Sequence, residues 1–190
     1  MRHYQGGSST NVVAALHVGA LADAAGYSSF KTKPTFGGSD ESWFVGYNNA
    51  DATFSGKLTT KSVSKMGTGN WTIKGNENTS SITVKEGKLT IFNLSGSATT
   101  GTMTIAKGAT LAGSGTTNSL VAQAGAIIIP GLSETAVGTI KTNSNAIIQS
   151  GASMIINVSA TSNSKLNVKG SIFTMAGNDT IVIAPQDGRT

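Results

Sequence analysis

Nine carboxylates and two histidines are the side chains of this 190-residue chain whose ordinary pKa lies below neutrality, and it contains no cysteine. The acids are Asp23, Asp40, Glu41, Asp51, Glu77, Glu86, Glu134, Asp179 and Asp187; the histidines are His3 and His17. Glycan hydrolysis needs two carboxylates flanking one sugar bond. Lyase chemistry needs carboxylates around calcium beside a basic proton acceptor. Asp40-Glu41 is the only adjacent acidic pair, and neighbours on a strand face opposite ways. The pair reads as a solvated loop. His3 falls in a polar leader. His17 lies in an alternating stretch, where a lone histidine is more often structural than a metal ligand. Without thiols there are no disulfides, thiolate nucleophiles or cysteine-held metals. Gly113-Ser114-Gly115 and Gly67-Thr68-Gly69 lack the downstream Lys-Ser/Thr and helix of a phosphate loop, so they read as turns. No serine sits in a Gly-x-Ser-x-Gly elbow leading into a helix. The expectation is no catalytic residue, no metal, no cofactor and no enzymatic activity.

Aromatic side chains offer another chemistry. Tyr27, Phe30, Trp43, Phe44 and Tyr47 lie close together in sequence, with Phe36 among them. They could form a platform on which sugar rings stack, or they could cap one end of a core. Stacked-repeat folds need a covered terminal edge, which favours the cap and keeps the platform as a candidate glycan- or host-surface-binding site.

Net charge is +5, which would suit a polyanion. The lysines, however, are dispersed: Lys57, Lys61, Lys65, Lys74, Lys85, Lys88, Lys107, Lys141, Lys165 and Lys169 form no basic arm. No nucleic-acid partner is expected. Dispersed lysines instead keep strand surfaces soluble and discourage edge pairing. Only 12% of residues are charged and 38% are hydrophobic, with 24 glycines and many Ser, Thr and Asn. That composition predicts many short strands joined by turns.

The strands show a repeat. Val84-Lys85-Glu86-Gly87-Lys88-Leu89-Thr90-Ile91 is one unit. Ile105 to Leu111, Val121 to Ile129 and Ile148 to Ile156 are others, framed by Gly108, Gly125 and Gly151. Each has a β-branched or aliphatic start, a glycine, then alternating aliphatics. One unit cannot bury its own apolar face, but stacked units can. Gly170 reads as a further frame glycine. Glycine suits the turn because it tolerates positive φ. Stacking would place Leu89, Leu111, Ile127 and Met154 in one internal column. Trp71, Ile73, Ile91, Ile129 and Leu166 should also lie inside. Thr53 to Leu58 reads as one strand. The spacing predicts an all-β, single-stranded parallel β-helix of about eight or nine rungs. Residues 1–11 read as a flexible leader, 12–42 as irregular capping rungs and 43–190 as regular repeats. Val12 to Ala25 is short of a membrane span. His17, Gly19 and Asp23 interrupt it as a signal core, so it reads as a first, strand-bearing rung.

The order of these motifs resembles the autotransporter-associated β-strand repeat of Gram-negative surface proteins, over about residues 43 to 183. The resemblance rests on Lys65-Met66-Gly67-Thr68-Gly69-Asn70-Trp71-Thr72-Ile73-Lys74-Gly75, then Gly87-Lys88-Leu89-Thr90-Ile91. It continues with Gly108-Ala109-Thr110-Leu111-Ala112-Gly113-Ser114-Gly115, Ile129-Pro130-Gly131 and Leu166-Asn167-Val168-Lys169-Gly170, with Asp51-Ala52-Thr53-Phe54-Ser55-Gly56 upstream. The chain departs from the pattern at Ser164-Lys165, where the family usually has Asp before Leu-Asn-Val. The resemblance implies a right-handed parallel β-helix, exported through the outer membrane to the cell surface or secreted. It also implies an outer-membrane translocator barrel outside this segment. The leading expectation is a non-enzymatic, monomeric stalk or display segment, related to adhesins. A carbohydrate-binding or polysaccharide-processing β-helix and an oligomeric, phage-fibre-like rod remain the alternatives.

Overall fold

The computed structural model describes residues 15–23, 35–36, 41–93, 96–132 and 136–185. Its strands are β1 Ala15–Val18, β2 Thr35–Phe36, β3 Ser42–Val45, β4 Ala52–Phe54, β5 Lys57–Lys65, β6 Asn70–Ile73 and β7 Asn78–Val84. They continue as β8 Lys88–Ile91, β9 Thr102–Ile105, β10 Thr110–Gly113, β11 Thr116–Thr117, β12 Ser119–Ala122 and β13 Ile127–Pro130. The last are β14 Thr139–Thr142, β15 Ala146–Ile148, β16 Ser153–Val158, β17 Lys165–Val168, β18 Phe173–Met175 and β19 Thr180–Pro185. No helix occurs among the described residues, so none there is long and apolar enough to cross a membrane.

Three sheets form, and every strand pair within them is parallel. The first runs β1-β3-β5-β7-β9-β12-β15-β18, with β2 paired to β5 off that path. The second runs β4-β6-β8-β10-β13-β16-β19, and the third β11-β14-β17. Successive strands alternate between sheets, and each strand pairs with its counterpart one coil later. The chain is a parallel β-helix of about eight rungs.

Register sets the core. In the first sheet Trp43, Val63, Ile82, Met103, Leu120 and Ala146 stack as one inward column. In the second, Trp71, Leu89, Leu111, Ile128 and Met154 stack as another. All of these are buried in one continuous cluster. The inward column therefore takes Ile128, not Ile127. Three isoleucines in a row, Ile127-Ile128-Ile129, carry no alternation from which register can be read. The distance from the turn is not constant either. Gly108, Gly125 and Gly151 stand three residues before their inward residue, whereas Gly87 stands two before Leu89. Ile129 is buried but pairs with Ala112 on the opposite face of the sheet. Leu166 packs partly buried against the core.

The glycine turns hold with one exception. Gly87, Gly108, Gly125 and Gly151 all have positive φ, between 63° and 88°. Gly170 does not belong to that frame, because it follows β17 of the third sheet rather than a strand of the first. The stretch from Thr53 to Leu58 is two strands rather than one, broken at Ser55-Gly56 where the chain leaves the second sheet for β5.

Lys65 is the main departure from the surface role expected of the lysines. Its Cα pairs with Val45 and Val84 in an inward column, and the residue is only 1% exposed. Its ammonium donates to the carbonyl oxygens of Gly67 at 2.7 Å, Met66 at 2.8 Å and Glu86 at 3.1 Å. Those three bonds are what make a buried charge tolerable there. The other lysines named above are exposed or half-buried.

Candidate binding face

Alternation along the first sheet fixes what its outer face displays, because every residue between two inward ones must point out. One outward column is Ser42, Ser62, Ser81, Thr102 and Ser119. The next is His17, Phe44, Ser64, Thr83, Thr104, Val121, Ile147 and Thr174. Neither column contains Lys, Arg, Asp or Glu. From β5 to β9 both are wholly Ser and Thr. These residues are half-buried, and Ser62 donates to the Ser42 hydroxyl at 2.9 Å.

At one end this hydroxyl floor meets aromatic rings. His17 and Phe44 are register partners on adjacent rungs. Their ring centroids are 4.5 Å apart and their planes differ by 7°. Tyr47, just past β3, also stacks on His17, at 5.3 Å and 27°. Tyr47 is 46% exposed and Phe44 is half-buried. A pre-stacked aromatic group of this kind is stiff and loses little freedom when something packs against it.

The five candidate aromatics separate. Phe44 and Tyr47 share the outer face. Trp43 points inward, is 8% exposed and donates from its indole N–H to Glu41 at 3.1 Å, so it belongs to the core. Tyr27 and Phe30 lie outside the described residues. His17 is the member that the sequence did not mark. The available signal was its place in the alternating Leu16-His17-Val18, which sets it outward, but its partner on the next rung depends on long-range register.

Several carboxylates serve the backbone. Asp23 accepts from the Ser55 N–H at 2.9 Å and Asp51 from the Asn70 N–H at 2.7 Å. The buried Glu77 accepts from the Leu58 N–H. These bonds span neighbouring rungs or loops and tie the coil together. Glu86, Lys107 and Ala124 follow the register-paired Val84, Ile105 and Ala122 by two residues each, so this turn builds no acidic column. No group of three or more His, Asp or Glu side chains is placed to hold a metal among the described residues.

No family model, curated protein or solved structure matches the chain. What stands is the geometry: a parallel β-helix whose first sheet shows two uncharged outward columns, hydroxyl-rich along their middle and aromatic at one end.

Proposed function

We propose that this chain is a structural segment of an exported bacterial surface protein, a stiff rod that spaces or displays other parts, adhesive ones included. One observation carries the reading: the buried, mostly aliphatic columns run from rung to rung along the coil, so each rung's core is completed by its neighbours. Eight stacked strands of the first sheet give a rod of about 35 Å at the usual strand spacing. A solenoid built this way can add rungs one at a time as a chain emerges from a membrane. The ordered repeat motifs, which resemble those of autotransporter passengers, support the same reading.

Surface labelling tests it. Intact producer cells should bind an antibody raised against this chain, and external protease should abolish that signal. Labelling that appears only after lysis would overturn the proposal.

A further inference from the structure

The ring separation of His17 and Phe44, 4.5 Å, is close to the spacing of adjacent strands, about 4.8 Å. Their planes are almost parallel, so the ring normals run along the axis of the coil. His17 covers one face of Phe44. The other face looks toward the next rung, where the register partner is Ser64, followed by Thr83. A serine side chain is too short to cover a phenyl ring. The column therefore drops in a step, from an aromatic wall to a floor of hydroxyls.

We propose that this step binds an uncharged glycan, with one pyranose ring packed against the open face of Phe44. The apolar C–H face of a pyranose suits a phenyl wall of that height, and Tyr47 extends the wall outward. The floor supplies Ser62, Ser64, Ser81 and Thr83. Their hydroxyls repeat about 4.8 Å across strands and about 6.7 Å along them. Each both donates and accepts, as sugar hydroxyls do. Apart from the Ser62–Ser42 bond, they make no hydrogen bond to the described residues. The absence of charge from both columns argues for a neutral ligand. A nucleic-acid base could also stack on Phe44, but these columns offer its phosphates no cation. The inference holds or fails independently of where the rod is displayed.

The test uses ¹⁵N-labelled protein titrated with cellohexaose, chitohexaose, maltohexaose and mannohexaose, with hexagalacturonate as an acidic control. At least one neutral probe should shift amide signals in residues 42–47, 62–64 and 81–83, and the acidic probe should bind at least ten-fold more weakly. Phe44→Ala should weaken binding ten-fold or more. Ser64→Phe, which extends the aromatic stack by one rung and fills the step, should do the same while melting normally. Lys141→Gln, on the third sheet, should leave binding unchanged. No shift with any neutral probe at millimolar concentration would overturn the proposal. So would full binding by folded Ser64→Phe, or equal binding of the acidic probe.

Discussion

The Lys65 ammonium reaches across one rung to donate to the backbone carbonyl oxygen of Glu86, 3.1 Å away. It also bonds the carbonyls of Met66 and Gly67. Its stem occupies a place that Val45 and Val84 fill on the flanking rungs. One side chain thus continues an aliphatic column and closes a turn.

Both roles can be separated by mutation. Lys65→Ala removes packing and three charge-assisted bonds and should cost about 2–4 kcal/mol. Lys65→Met keeps an unbranched apolar stem and should cost less. Urea unfolding of the two variants checks the order, and equal costs would mean that the stem contributes nothing. There is also a pH signature. Burial lowers the Lys65 pKa below 10.5, against the opposing pull of the Glu86 and Asp51 charges. Between the lowered folded value and the ordinary unfolded one, the unfolded chain binds more protons. Stability therefore rises with pH there. The stability of wild type relative to Lys65→Met should be flat below the folded pKa and increase as pH climbs toward 10.5. A decrease would contradict the assignment.

Architecture was legible because a solenoid writes its fold locally. The turn glycines, and inward pairs such as Trp71 with Ile73 and Leu89 with Ile91, sit within single rungs and need no long-range information. What lay between rungs was not legible. The Ile127-Ile128-Ile129 run left register open by one residue. Lys65 looks like any surface lysine until its partners place it in a column with valines. The His17–Phe44 stack joins residues in different rungs, and nothing near either residue announces it. The candidate aromatics could be named from sequence, but the inward turn of Trp43 depends on the strand's alternation, which starts at Ser42.

Two glycines should respond differently to the same substitution. Gly108 has a φ of 77° and open space, with nothing within 4 Å of an added Cβ. Gly108→Ala should therefore cost only the left-handed backbone penalty, about 1–2 kcal/mol. Gly113 has a φ of 117°, and its Cβ would run into the Ile91 carbonyl. It also exchanges backbone hydrogen bonds with Gly131 at 2.7 and 2.8 Å, which limits how far it can shift. Gly113→Ala should add an overpacking cost of about 1–3 kcal/mol to the backbone strain. Thermal melting of the two variants gives the ranking. A Gly113→Ala protein as stable as Gly108→Ala would mean that this corner is looser than its contacts imply.

Leu111 and Ile181 belong to one column of the second sheet, linked through Ile128 and Met154. Leu111 is fully buried, whereas Ile181 is 51% exposed, because among the described residues no strand pairs beyond β19. A column that stabilises by stacking should reward its middle more than its end. Leu111→Ala leaves a cavity between rungs and should cost about 2–5 kcal/mol. Ile181→Ala removes a side chain already half in water and should cost about 1 kcal/mol or less. Denaturant unfolding measures both. Amide exchange adds a local reading, since β18 and β19 should open well below the free energy needed to open β8 and β10. Equal costs at Leu111 and Ile181, with uniform protection along the coil, would show that something outside the described residues covers the last rung as tightly as its neighbours cover the middle ones.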